Sequence, residues 1–161
     1  MFWRRRIKVE AATLAKTIFA EFIDKPFYSL PEEVSVTPEA EAALWAKLRL
    51  YQYASVLLAV LNEEHTNPDY LSVRVHMERT LLPPTFSQGA NMLDEIRSAM
   101  KDLGDLLTPI DKPQAMSWAV RWFNSVGIDE SNPVRLGMFA LHWPSHFTAA
   151  AQSLRRFTPI N

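Results

Sequence analysis

The sequence predicts an all-α fold, one compact bundle-like domain of six or seven helices over residues 1–161, with the last helix kinked or broken near Pro144. Three observations carry that expectation. Apolar residues recur at the 3.6-residue spacing of a helix in one segment after another. The punctuation is by proline, with 11 against 4 glycines, and no Asn-Gly or Asp-Gly hairpin dipeptide occurs. No stretch alternates apolar and polar residues over a strand's length between turn residues, so no β-sheet is expected.

The first helix is expected from about Lys8 to Asp24. Ile7, Ala11, Leu14, Ile18 and Phe22 share a face, and Pro26 ends it. The Pro-bounded loop that follows should pack Phe27, Tyr28 and Leu30 on the helices. Thr37-Pro38-Glu39 joins a hydroxyl N-cap to proline at N1 and an acid near the positive end of the dipole. The second helix should reach about Glu64, with Leu44, Leu48 and Tyr51 inward. Its second half is apolar nearly all round, as in a helix enclosed by its neighbours. Asn67-Pro68-Asp69 starts the third, which runs to about Leu82. The fourth carries Phe86, Ala90, Leu93, Ile96, Met100, Leu103 and Leu107 on one stripe. The fifth, from about Pro113 to Val126, turns Met116, Ala119, Val120 and Phe123 inward. Gly127 should close it in left-handed conformation, with Ile128 set against Phe123. Ser131-Asn132-Pro133 starts the sixth, Pro144 interrupts it, and apolar spacing resumes at Phe147, Ala150, Ala151 and Leu154.

Composition excludes several kinds of chemistry. A chain of 161 residues, 48% hydrophobic and 22% charged, can bury a core without a metal or disulfide. It has no cysteine, which removes disulfides, thiolate zinc sites, thiol nucleophiles and iron–sulfur clusters. The net charge of −1 gives no global field for nucleic acid. Arg4, Arg5, Arg6 and Lys8 could meet a membrane surface or nucleic acid weakly, but residues 1–7 read as a loose, solvated basic segment. Residues 1–31 hold six Lys or Arg against three acids, and residues 32–111 hold six against thirteen, a polarity that could guide subunit contacts. No run is long enough for a transmembrane span, and Lys8, Glu10, Lys16 and Glu21 interrupt any signal-peptide core, so a cytoplasmic location is expected.

The best chemical lead is His142-Trp143-Pro144-Ser145-His146. Histidines four apart on an unbroken helix share a face and could share a metal, but Pro144 should break that alignment. No carboxylate ligand pattern joins them, because the residues three before His65, His76, His142 and His146 are Asn62, Val73, Phe139 and Trp143. No metal or other cofactor is therefore expected. HExxH, GxSxG, GxGxxG and the Walker sequence are absent, and no catalytic residue is assigned. Trp118 and Trp122, with Arg121, sit at the flank of the fifth helix. They serve either as core or as a hot spot for another chain. The residues point to a non-catalytic interaction or assembly protein, a homodimer or one with a protein partner, meeting its partner through Trp118, Arg121 and Trp122. The alternative is a ligand-binding domain or small enzyme, with a pocket between the second helix and the histidine bend and with Tyr51, Tyr53, His142 and His146 as its polar groups.

Overall fold

A computed structural model describes residues 6–25, 28, 36–81, 92–108 and 111–160. Six α-helices are present among them: α1 (Ala11–Phe22), α2 (Pro38–Thr66), α3 (Tyr70–His76), α4 (Met92–Leu107), α5 (Lys112–Asn124) and α6 (Pro133–Leu154). A π-helical turn, Met77–Leu81, continues α3. Two short strands, β1 (Ile7–Glu10) and β2 (Phe157–Ile160), pair in parallel with Ile7 opposite Phe157.

The helix starts form where the side chains can satisfy orphan amides. Thr37 Oγ1 accepts from Ala40 N at 3.2 Å, Asp111 Oδ1 from Gln114 N at 2.8 Å, and Asn132 Oδ1 from Val134 N at 2.9 Å. A proline follows each cap in the first turn. At the end of α5, Gly127 adopts φ 77°. Ile128 N donates to Phe123 O, and Gly127 N to Asn124 O, both at 3.1 Å, which is the paired bonding of a Schellman cap.

The axis of the fold is α2. From Tyr51 to Val60 nearly every residue is buried, as its all-round apolar character requires. One core cluster joins α1, the second half of α2, α3 and the end of α6, around Leu14, Ile18, Tyr53, Tyr70 and Leu154. A second joins the first half of α2 to α4, α5 and α6, around Leu44, Leu48, Trp122, Phe139 and Trp143. Tyr28 packs on Phe123 and Phe139, with ring centroids 5.9 and 5.5 Å apart. Phe27, Leu30, Leu82, Phe86 and Ala90 lie outside the described residues, as do Arg4 and Arg5.

Four expectations need correction. First, a small sheet exists. Ile7-Lys8-Val9-Glu10 does alternate, but over four residues with its partner at the far end of the chain, so no local signal marks it. Ile7 consequently belongs to a strand and not to a loose segment, and α1 begins at Ala11 instead of Lys8. Tyr70 fixes the second strand, its hydroxyl lying 2.7 Å from Leu154 O and 3.0 Å from Phe157 O. Second, Leu93 is exposed, not inward; the buried stripe of α4 is Ile96, Ala99, Leu103 and Leu106. Third, the buried residues of α5 are Trp118, Ala119, Trp122 and Phe123, while Met116 and Val120 are half-buried. The larger rings take the centre because they remove more apolar surface from water. Fourth, of the kink or break expected near Pro144, the break is absent, and α6 runs unbroken from Pro133 to Leu154. Proline there costs about 3 kcal/mol. Phe139, Trp143, Ala150 and Leu154 on either side of it are all buried, and each large side chain contributes about 1.5–3 kcal/mol, so packing outweighs the lost hydrogen bond.

Candidate functional site

Of the residues singled out by the sequence, Tyr51, Trp118 and Trp122 come together in one core cluster, while Tyr53 lies in the other and Arg121 on the surface. Tyr51 packs on Trp118, Trp122 and Trp143 at centroid distances of 6.2, 5.6 and 5.7 Å. Phe139 stacks against Trp118 at 6.1 Å and tilts against Trp122 at 4.7 Å. Trp118 and Trp122 are 5% and 2% exposed. Of the two readings of these tryptophans, core or hot spot, their burial is that of core residues, and only Arg121 of the trio is exposed. The edge of this cluster is polar. Tyr51 donates to Asp102 Oδ2 at 2.6 Å. Lys47 Nζ sits over the Tyr51 and Trp122 rings at 5.5 and 5.0 Å and donates to Ser125. Burial pushes the Tyr51 hydroxyl up, with Asp102 adding to the effect, and it pulls the Lys47 ammonium down.

Because α6 continues through Pro144, His142 and His146 stay on one flank, their rings 5.8 Å apart. The alignment expected to break is intact. His146 Nε2 lies 3.0 Å from Phe22 O, and Nδ1 lies 3.0 Å from Ser55 Oγ. A carbonyl only accepts, so Nε2 carries the proton and Ser55 donates to Nδ1. Both ring nitrogens are thus engaged, and among the described residues no group of three His, Asp or Glu could hold a metal. The Ser55–His146 bond has the connectivity of a base-activated hydroxyl. Ser55 is 1% exposed and His146 7%, which keeps substrate away. The pair acts as a clamp instead. With Gln52 Nε2, which donates to Phe22 O and Lys25 O at 3.1 and 2.9 Å, it satisfies the carbonyls at the end of α1. Burial pushes the His142 imidazole down to about 4, helped by His146, and holds His146 below its ordinary range.

The surface that stands out is the outward face of α6. Val134, Met138 and Leu141 are 67%, 68% and 68% exposed. At about 100° per residue they fall, with Ser145, within about 60° of one another. Further along, Thr148, Ala149 and Gln152 are exposed. No Asp, Glu, Lys or Arg occurs between Arg135 and Arg155, so this face is uncharged along the helix. Beside it runs a groove of about 590 Å³ between α6, the end of α4 and the start of α5. Gly137, Ala140 and Pro144 form one wall, Leu106 the floor region of α4, and Ala115 and Met116 the other wall. Its polar rim is Thr108, Asp111 and Lys112. Sequence reasoning missed these residues, although the signal was present: the 19 residues between Arg135 and Arg155 carry no charge.

A second groove of about 520 Å³ lies between α2, α3 and α4, with Tyr53 at its base and Arg74, Glu78 and Arg97 at its edge. Arg74 is held by Glu64 at 2.7 Å and Glu78 at 3.5 Å. Neither groove is lined by Tyr51, His142 or His146, while Tyr53 lines the second. No helix is long and apolar enough to cross a membrane among the described residues. No protein-family model, no curated protein and no solved structure matches the chain.

Proposed function

We propose that this chain is a non-catalytic helical interaction protein whose partner-binding surface is the outward face of α6 and the groove beside it. The observation that carries this reading is the uncharged face with Val134, Met138 and Leu141 exposed. A solvated helix normally dresses such a face with charge, and interface cores are depleted of charge and enriched in methionine and large apolar side chains. The Trp118–Trp122 pair supports the surface indirectly, as the buried anchor that fixes α5 against α6.

Peroxide footprinting tests the proposal. In the dilute purified chain Met138 should oxidise far faster than Met77, which is fully buried. In a concentrated extract of the source cells Met138 should become protected. Equal oxidation of Met138 in the two settings rejects the reading. A second reading, a small apolar ligand in the same groove, is favoured by its volume of about 590 Å³, inside the range of ligand pockets.

A further inference from the structure

We infer that the occupant of the α6 face is a second copy of this chain, docked about a twofold axis that sets the two α6 helices antiparallel. This rests on the interaction reading above and names its partner. Four features point to self-association. Knob and hole lie side by side: Met138 and Leu141 project from α6 next to the groove walled by Gly137, Ala140 and Pro144. A twofold axis between them seats each copy's knobs in the other's groove, the arrangement an isologous interface requires.

The charge pattern suits a copy of itself. The face between Arg135 and Arg155 has no charge to repel its own image, and the groove rim is neutral, with Asp111 beside Lys112. The net charge of −1 leaves little repulsion at long range.

Gly137 is the third feature. It stands inside a helix of 22 residues, where glycine is a poor helix former, and a Cβ there would meet nothing within 4 Å. Packing among the described residues gives no reason for it. Close approach of another helix backbone does. The fourth feature is size. A helix of 22 residues is about 33 Å long and about 10 Å wide. The helix face alone covers about 330 Å² in projection, about two-fifths of the roughly 800 Å² each partner gives to a standard interface, and the groove walls on α4 and α5 extend it.

Sedimentation of the full chain over a range up to tens of micromolar tests the inference. The wild type should be dimeric. Met138→Asp and Gly137→Gln should each weaken the dimer at least tenfold, while Glu95→Lys, on the exposed side of α4, should not. Gly137→Gln should also raise the melting temperature of the dilute chain, because it improves the helix where nothing within the chain opposes it. Loss of association with higher stability is a combination that damage to the fold cannot produce. A dimer indifferent to both α6 substitutions overturns the inference, since another face then holds it. A monomer throughout overturns it as well. In that case protection of Met138 in extract keeps the interaction reading with a foreign partner, and no protection ends both.

Discussion

Acid should loosen this protein well above the range in which carboxylates titrate, and the perturbation is a shift from pH 7 to pH 5. His142 is held neutral, its folded value about 4 against about 6.5 in an unfolded chain. A folded value below the unfolded one means that the unfolded state binds the proton first. The contribution to stability is full above pH 6.5 and is lost as pH falls toward 4. For that pair of values the loss between pH 7 and pH 5 is at most about 2 kcal/mol, reduced by solvent screening of a half-buried ring. His146 shifts in the same direction, because burial outweighs the hydrogen bond to Phe22, so it adds to the effect. Glu64 and Glu130, both held below the usual carboxylate value with Arg74 and Arg135 as partners, lose their contribution only below about pH 4.3. The histidine window is therefore separate. Urea unfolding followed by circular dichroism at pH 7 and pH 5 measures it, with His142→Gln as control. The wild type should lose about 1–2 kcal/mol more than the variant. Equal losses in the two proteins would refute the assignment of His142 as a half-buried neutral imidazole.

Three further outcomes follow from the packing. Trp122→Ala should cost about 3–5 kcal/mol, a fall of roughly 6–20 °C in Tm for a chain of this size; a change below about 0.5 kcal/mol in urea unfolding is the surface value and would contradict its burial. Gly127→Ala should cost about 1 kcal/mol, because φ is 77° there, and a stability equal to wild type would mean that the Schellman cap is not formed. Gly137→Ala should stabilise the dilute monomer by up to about 1 kcal/mol, read as a higher urea midpoint; a loss of stability would mean that the site is closed within the chain.

The fold was legible because its signals are local. Thr37-Pro38, Asn132-Pro133 and Gly127 fix helix ends through their own side chains or backbone, and the caps are where those residues place them. The β1–β2 pair was illegible because its partners are distant in sequence, so no window contains both. The break at Pro144 does not occur for an energetic reason: the local penalty of proline is exceeded by the burial of Trp143 and Leu154 on either side of it. At the candidate site the misreading was one of facing. Residue type marked Trp118, Trp122 and His146 as interesting, but only the three-dimensional packing reveals that they face Tyr51 and Ser55. The exposed Val134, Met138 and Leu141 are ordinary apolar residues in an apolar helix. Their significance appears only once the opposite face, Leu136, Phe139 and Trp143, is known to fill the core.

The most direct measurement of the central claim is site-specific photo-crosslinking in the source cells, with a benzophenone side chain at position 138 and, separately, at position 95. Both positions are exposed, so neither substitution disturbs the core. The account predicts a discrete covalent adduct from position 138, at twice the mass of the 18.4 kDa chain, and none from position 95. Failure of position 138 to yield any protein adduct, or equal yields from the two positions, would contradict it.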